Sequence, residues 1–142
     1  MINKNLVQEI PVVSRGKILI MDDEIIVRAL TGKILQRLGF KVDYAQDGTE
    51  AIEVYKVAKE SGQPFEAVIM DLHVPHGMGG EEAIKKLREI DPQVKAIVSS
   101  ADFENPILAD FRAYGFCGVL AKPYNIMELY NTINKVLLGV ST

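Results

Sequence analysis

The sequence predicts an α/β fold in which one parallel sheet is covered by helices on both faces. Short apolar runs, each stopped by a polar residue or a turn signal, alternate along the chain with longer segments of helical periodicity. Apolar runs of this kind are typical of strands that are buried on both faces, as in a parallel sheet. The strict alternation of five strands with five helices favours a doubly wound sheet with right-handed crossovers.

The first half of the chain is predicted to contain two strand–helix pairs. The first strand ends at Met21, and a helix follows from about Ile25 to Leu38. The second strand covers residues 40–45, and Asp47 can cap a helix that stops at Ser61–Gly62. The apolar residues expected on one face of these two helices are Ile26, Leu30, Ile34, Leu35, Leu38, Ala51, Ile52, Tyr55 and Ala58.

The second half continues the same alternation. Asn105 and Pro106 provide a helix cap followed by a first-turn proline, so a helix is expected to begin there. The expected elements are a strand within 67–71, a helix at 81–90, a strand within 96–101, a helix at 105–114, a strand within 118–123 and a helix at 125–138. The residues of the last helix that are expected to face inward are Ile126, Leu129, Ile133, Val136 and Leu137.

Length and composition narrow the classes of function. A chain of 142 residues has the size of one domain with one core, and a net charge of −3 gives no electrostatic reason to bind nucleic acid directly. No apolar stretch approaches the roughly 20 residues of a membrane span, so no direct contact with a membrane is expected. The single Cys117 excludes an internal disulfide and fits a reducing compartment, so the cytoplasm is the expected location.

The first residues differ in character from the rest. Residues 1–16 contain Pro11 and show no clear periodicity, which indicates a flexible leader or linker. Polar residues interrupt any apolar core there, so the segment does not have the form of a signal peptide. Residues 17–142 are expected to form the folded domain.

Polar residues that end four of the predicted strands are expected to form one site. The strands end at the pair Asp22–Asp23, at Asp71, at Ser100 and at Lys122. Ligands of open parallel sheets bind beyond the carboxyl ends of the strands. One end of the sheet therefore collects three carboxylates, a hydroxyl and an ammonium group. This set suits a divalent cation and a phosphoryl group.

The acidic residues also have structural interpretations. Asp23 could cap the first helix while Asp22 is solvated, and Asp71 could be an ordinary turn residue at a strand end. Adjacent carboxylates are costly to ionise together in a confined site, and a hard divalent cation removes that cost. A third carboxylate at the neighbouring strand end favours the metal site.

Five positions, taken in order, resemble the signature of a known family. The pattern is similar to the receiver domain of two-component response regulators from about Lys17 to about Leu138. The resemblance implies a flavodoxin-like fold with the strand order 2-1-3-4-5. The matching positions are the acidic pair Asp22 and Asp23, the phosphoacceptor Asp71, the switch hydroxyl Ser100 before the small Ala101, and the pair Lys122–Pro123.

The resemblance implies a phosphoacceptor with a metal beside it. Asp71 would be the nucleophile that takes a phosphoryl group from the phosphohistidine of a sensor histidine kinase or a histidine phosphotransfer domain. Mg²⁺, with Mn²⁺ as an alternative, would be held by Asp71, by Asp23 directly and by Asp22 partly through water. The backbone carbonyl of His73 would be a further ligand, whereas its softer imidazole is not expected to bind Mg²⁺.

The remaining signature residues would sense the phosphoryl group. Lys122 would pair with Asp71 at rest and with the phosphoryl group after transfer, and its bond to Pro123 would be cis. Ser100 would hydrogen-bond the phosphoryl group and bias a surface formed by the fourth helix, the fifth strand and the fifth helix. Ser99 is the competing hydroxyl, but Ser100 precedes the small Ala101 and has the usual separation from Lys122.

The sequence departs from the family pattern at three places that bear on how phosphorylation would change the surface of the protein. The loop 75–80 is one residue longer than the common form, and its Gly-Met-Gly-Gly sequence resembles receivers of hybrid sensor kinases. Val119 stands where the family often has Tyr or Phe, and His73 and Asp102 flank the site. The sequence is therefore interpreted as a stand-alone receiver or, in preference, as the receiver module of a hybrid sensor histidine kinase.

Three other functions fit the sequence less well. A degenerate receiver that only binds partners is disfavoured by the intact Asp71, Asp23 and Lys122. A Mg²⁺-dependent aspartyl phosphatase would carry a second acid two residues after its nucleophile, where this chain has His73. A Rossmann nucleotide binder is excluded because residues 21–24 occupy the turn that requires glycines. No independent enzyme activity is expected beyond the chain's own phosphorylation and dephosphorylation.

Overall fold

A computed structural model describes residues 15–139 of the chain. These residues form one five-stranded sheet in which all neighbouring strands are parallel, in the order β2-β1-β3-β4-β5. The predicted doubly wound fold and strand order are therefore confirmed. The predicted leader at 1–16 lies almost entirely outside the described residues. The strands are β1 Lys17–Met21, β2 Lys41–Ala45, β3 Ala67–Asp71, β4 Ala96–Ser100 and β5 Gly118–Ala121.

Five α-helices connect and follow the strands within the described residues. Asp47, Asn105 and Asn125 cap three of them, each accepting a hydrogen bond from a backbone N–H of the first turn, as their residue types favour. The helices are α1 Ile25–Arg37, α2 Gly48–Glu60, α3 Gly80–Ile90, α4 Pro106–Ala109 and α5 Ile126–Leu138.

The fourth helix is shorter than the sequence predicted. It was expected to reach Tyr114, but α4 ends at Ala109 and a separate 3₁₀-helix covers Phe111–Tyr114. Asp110 between them has φ −129° and ψ 49°, which is not helical. Ile107 is the buried residue of α4, and no residue of the 3₁₀-helix is buried, so packing gives little support to a continuous helix here.

The core lies on both faces of the sheet. Side chains of α1 and α5, such as Leu35 and Leu129, pack with Ile69 on one face, whereas α2 and α3 pack with Val68 and Met70 on the other. The neighbouring central strands β3 and β4 are buried along their whole length. The carboxyl ends of β3 and β4 are therefore held in place by the buried core and lie at one edge of the sheet.

Three apolar side chains that were expected on helix core faces are exposed. Ile26 and Leu30 of α1 and Ile126 of α5 are all more than half exposed. The buried residues of α1 are Thr31, Gly32 and Leu35, and Gly32 lies against the ring of Tyr44 where a Cβ would collide with the hydroxyl. The buried face of α1 thus includes a close approach to Tyr44 that a larger residue than glycine would block, and helical periodicity alone did not reveal this face.

None of the helices in residues 15–139 combines the length and the apolar character needed to cross a bilayer.

Candidate functional site

The predicted site residues meet at the carboxyl ends of β1, β3, β4 and β5. Asp22 follows β1, Asp71 ends β3, Ser100 ends β4, and Lys122 follows β5. The strand order places β1 and β3 side by side, although the chain visits β2 between them. This is the point where the direction of winding reverses, which is where open α/β sheets bind ligands.

Three carboxylates form a compact acidic cluster there. One oxygen each from Asp22, Asp23 and Asp71 lies within 4.8 Å of the others. Asp22 and Asp71 are buried, whereas Asp23 is exposed. Hard carboxylate oxygens on a partly open rim fit the donor preference of Mg²⁺, which keeps several waters when it binds proteins.

The turn after β1 is held by Asp22 rather than by a helix cap from Asp23. Asp22 Oδ1 accepts a hydrogen bond from the N–H of Glu24 at 2.9 Å. Glu24 is the N-cap of α1 and makes no side-chain cap hydrogen bond. The interpretation in which Asp23 caps the helix and Asp22 is solvated is therefore wrong. The side chain of Asp23 is left facing the rim of the site.

Lys122 bridges two of the carboxylates. Its Nζ donates to Asp22 Oδ2 at 2.7 Å and lies 3.4 Å from Asp71 Oδ2. The sequence predicted the pair with Asp71, and the structure adds a shorter contact to Asp22. Burial disfavours the ammonium, but the hydrogen bond to Asp22 and the charge of Asp71 outweigh it, so the pKa of Lys122 is raised. Lys122 is therefore a fixed positive charge in the site.

The environment of Asp71 is unfavourable to the charge of its carboxylate. Burial, and after it the negative charge of Asp22, raise the pKa of Asp71 to about 6, although Lys122 and the N–H of His73 act in the opposite direction. The carboxylate is still mostly ionised at pH 7. A cation among the three carboxylates would lower this pKa.

The loop after β3 connects Asp71 to the loop after β4. The N–H of His73 donates to Asp71 Oδ1 at 3.3 Å, and the His73 ring Nε2 lies 3.3 Å from Asp102 Oδ2. The imidazole is thus engaged with Asp102 and not with the acidic cluster. The predicted role of the His73 carbonyl as a metal ligand stays a prediction.

Ser100 ends β4 with its hydroxyl directed into the following turn. The hydroxyl oxygen is buried and accepts a hydrogen bond from the N–H of Asp102 at 3.0 Å. The Ser100 carbonyl accepts from the N–H of Lys122 at 2.9 Å, which ties the ends of β4 and β5 together. The hydroxyl can still donate its own hydrogen, because a serine oxygen accepts and donates at once.

Two further contacts near the site were not predicted. A guanidinium N–H of Arg28 donates to the backbone carbonyl of Asp22 at 2.7 Å, and the hydroxyls of Thr31 and Tyr124 lie 2.6 Å apart. Arg28 lies four residues after Glu24, so helical spacing returns it to the turn that carries the acidic pair. The Thr31–Tyr124 contact links α1 to the segment after the Lys122–Pro123 bond, which is cis as the resemblance implied.

Comparison with known proteins gives one consistent family. A sequence model described as the response regulator receiver domain matches residues 18–134. Sporulation initiation phosphotransferase F of Bacillus subtilis is 31% identical over 121 residues, which is 85% of this chain and 93% of that protein. Chemotaxis protein CheY of Thermotoga maritima is 32% identical over 121 residues, which is 84% of this chain and 96% of that protein.

A solved structure agrees with the fold. The receiver domain of sensor histidine kinase PA1611 from Pseudomonas aeruginosa, solved with a magnesium ion in its active-site cleft, superposes with a TM-score of 0.74 at 22% identity. The match covers 86% of this chain and 97% of that structure.

Proposed function

The chain belongs to the response regulator receiver domain family, and from this premise we propose that Asp71 is the residue that accepts the phosphoryl group. The chain is thus a receiver domain of two-component signalling. The proposal for Asp71 is supported mainly by one observation, the cluster of Asp22, Asp23 and Asp71 with the Lys122 ammonium between two of its members. Asp71 ends the central strand β3, so its backbone is held while its carboxylate faces the site.

The proposed step is transfer from a phosphohistidine to the Asp71 carboxylate. A carboxylate oxygen forms a bond to phosphorus as the N–P bond of the donor breaks, and that bond's electron pair stays on the imidazole nitrogen. The ionised carboxylate, which is the main form at pH 7, attacks without losing a proton. The Lys122 ammonium lies close enough to Asp71 to neutralise charge on the transferring oxygens, which is most of what such a step requires.

A divalent cation, Mg²⁺ or alternatively Mn²⁺, is proposed for the acidic cluster. Asp23 and Asp71 would bind it directly, Asp22 partly through water, and the backbone carbonyl of His73 would complete the protein ligands. When bound, the cation offsets repulsion among the carboxylates and neutralises charge on the phosphoryl oxygens. The magnesium ion of the structurally similar PA1611 receiver supports the choice of cation.

Ser100 is proposed to report the phosphorylated state. Its hydroxyl would donate to a phosphoryl oxygen, drawing the turn after β4 inward. The neighbouring α4 is a single turn with one buried residue, so this part of the chain has little packing that would resist a shift. The surface of α4, β5 and α5 would then differ between the two states. Val119, on β5, offers no aromatic ring to assist the change.

The protein that donates the phosphoryl group is proposed to dock on α1 and the segment after β5. Ile25, Ile26 and Leu30 are exposed on α1, and a groove of about 470 Å³ beside them reaches Lys122 and Tyr124. A phosphohistidine must come within bonding distance of Asp71, so its carrier has to cover this rim. A sensor histidine kinase or histidine phosphotransfer domain with an apolar face would bury these side chains.

Residues 17–142 are proposed as the receiver unit, acting in the cytoplasm.

Intact-mass measurement tests the acceptor. The protein is incubated with acetyl phosphate, with and without Mg²⁺, beside Asp71→Asn and Asp47→Asn, the latter an acid that caps α2. We expect one phosphoryl adduct that requires Mg²⁺, is absent from D71N and is retained in D47N. An adduct that persists in D71N would contradict the assignment of Asp71. No adduct on the wild type would favour a receiver that only binds partners, and turnover of a phosphate monoester would favour a phosphatase.

A further inference from the structure

The buried hydroxyl of Ser99 has no role in the mechanism above. Among the residues that the structure describes, Ser99 Oγ is the buried side-chain oxygen or nitrogen that lacks a hydrogen-bond partner. Ser99 is only 2% exposed. Leaving a buried hydroxyl unpaired costs free energy, and such groups in folded proteins call for an explanation. An alanine would fill nearly the same space without this cost.

Ser99 lies directly beside the proposed phosphoacceptor. In the parallel ladder of β3 and β4, Ser99 is the register partner of Asp71. Partners in a parallel ladder project from the same face of the sheet, and neighbouring strands lie roughly 4.8 Å apart. On its other side Ser99 is the register partner of Leu120, two residues before Lys122. The unpaired hydroxyl therefore lies on the Asp71 side of the sheet, at the floor of the site.

Ser99 differs in this respect from its neighbour Ser100. The Ser100 oxygen already accepts a hydrogen bond from the N–H of Asp102. The two serines also project from opposite faces of β4, because side chains alternate along a strand. A role for Ser99 is thus separate from the switch role proposed for Ser100.

At rest, both side-chain oxygens of Asp71 already have a positively polarised neighbour. Oδ1 accepts from the N–H of His73, and Oδ2 lies 3.4 Å from the ammonium of Lys122. A phosphoryl group on Asp71 would attract Lys122 more strongly than the acyl oxygens of Asp71 do, since its outer oxygens carry the charge. The Asp71 side chain would then lose its contact with the Lys122 ammonium. Rotation about a single bond is enough to re-aim a serine hydroxyl.

We propose that Ser99 is a positioning residue for the phosphorylated state, its hydroxyl donating to a side-chain oxygen of Asp71 once Lys122 has moved to the phosphoryl group. The inference rests on the proposed function, because it needs Asp71 to be the acceptor. The hydroxyl is unpaired in the resting state and paired in the phosphorylated one. Ser99 therefore favours phosphorylation by destabilising the state that precedes it.

Beryllofluoride, a non-covalent phosphoryl mimic, tests this inference together with urea unfolding. NMR titration with Mg²⁺ and beryllofluoride gives the affinity of the wild type, Ser99→Ala, Ser99→Thr and Ser61→Ala. We expect S99A to bind about fivefold more weakly, as for the loss of one ordinary hydrogen bond, and its urea midpoint without ligand to stay the same or rise. S99T keeps a hydroxyl and should restore the affinity. S61A removes a hydroxyl that bonds the Ala58 carbonyl far from the site, and should bind as the wild type does.

Each outcome separates this inference from the function on which it rests. S99A with wild-type affinity would overturn the inference while leaving Asp71 as the acceptor. S99A with a markedly lower urea midpoint would also overturn it, because the hydroxyl would then stabilise the resting state. A wild type that fails to bind beryllofluoride in the presence of Mg²⁺ would instead contradict the proposed function, and the inference with it.

Discussion

Lys122 reaches Asp22 more closely than it reaches Asp71, with Nζ–O distances of 2.7 Å and 3.4 Å. At rest the ammonium is therefore anchored mainly by Asp22. Asp71 makes the weaker contact and is the easier of the two to exchange for another anion. A phosphoryl group on Asp71 can draw Lys122 without breaking its bond to Asp22. The geometry suits a lysine that keeps its contact with Asp22 while its Nζ shifts from Asp71 to the phosphoryl group.

Replacing Lys122 should slow phosphorylation strongly. In Lys122→Ala, charge on the transferring oxygens loses a nearby positive partner, and we expect the rate of adduct formation with acetyl phosphate to fall about 100-fold. Time-resolved intact-mass spectra give the rate. Lys95→Ala is a matched control, since Lys95 bonds the Leu137 carbonyl away from the site. A K122A rate within twofold of the wild type would contradict the proposed role.

Removing the Asp71 charge should stabilise the metal-free protein near neutral pH. The pKa of Asp71 is raised to about 6 in the folded state, above its unfolded value, chiefly by burial. The stability that this group contributes is therefore fully present below the unfolded pKa and is lost as pH rises through about 6. In EDTA, Asp71→Asn should exceed the wild type by on the order of 1 kcal/mol at pH 7.5, and by less at pH 5.

Urea unfolding of wild type and D71N at the two pH values measures this difference. Adding Mg²⁺ at pH 7.5 should stabilise the wild type more than the variant, because the variant lacks one carboxylate of the cluster. A difference between the proteins that does not change with pH would contradict the account of the Asp71 charge.

The hydroxyl pair of Thr31 and Tyr124 should behave as one coupled unit. Tyr124→Phe leaves the buried Thr31 hydroxyl without its partner, and we expect it to cost about 1–2 kcal/mol of unfolding free energy. Adding Thr31→Val should recover most of that loss, since both polar groups are then gone. A double-mutant cycle by urea unfolding measures the coupling. Strictly additive effects would show that the hydrogen bond contributes nothing.

A contact at the opposite end of the sheet should affect stability and leave phosphorylation unchanged. The Tyr55 hydroxyl donates to Asp91 Oδ2 at 2.7 Å, and this hydrogen bond is the main cause of the lowered pKa of Asp91. A lowered carboxyl pKa contributes stability above its unfolded pKa, and that stability is lost as pH falls through the folded value. Tyr55→Phe should lose about 1 kcal/mol at pH 7 and progressively less as Asp91 becomes protonated.

Urea unfolding from pH 7 downward measures this trend, and the acetyl phosphate assay provides the functional comparison. A Y55F variant whose phosphorylation fell along with its stability would mean that the two ends of the sheet are coupled.

The positions of the site residues could be predicted from the sequence where a single local pattern determines them. Asp22, Asp71 and Lys122 each follow or end an apolar run, and a parallel sheet brings such strand ends to one edge. The caps at Asp47 and Asn105 were predictable for the same reason, because a cap depends on the next two or three residues only.

Features that depend on packing between distant segments were not predictable. Ile26 and Leu30 are exposed, and α1 instead approaches Tyr44 closely at the buried Gly32, which periodicity cannot show. The break at Asp110 reflects sparse packing around α4. The closer contact of Lys122 with Asp22 and the unpaired hydroxyl of Ser99 both depend on ångström-scale positions of separate strands.

Direct mapping of the phosphoryl group is the measurement that tests the central claim most closely. The protein is treated with acetyl phosphate and Mg²⁺, the acyl phosphate is reduced with borohydride, and the digested peptides are sequenced by tandem mass spectrometry. Reduction converts an aspartyl phosphate to homoserine. We predict homoserine at position 71, dependent on Mg²⁺, and aspartate unchanged at positions 22 and 23. Homoserine at either of those positions, or none at 71 in a phosphorylated sample, would contradict the account.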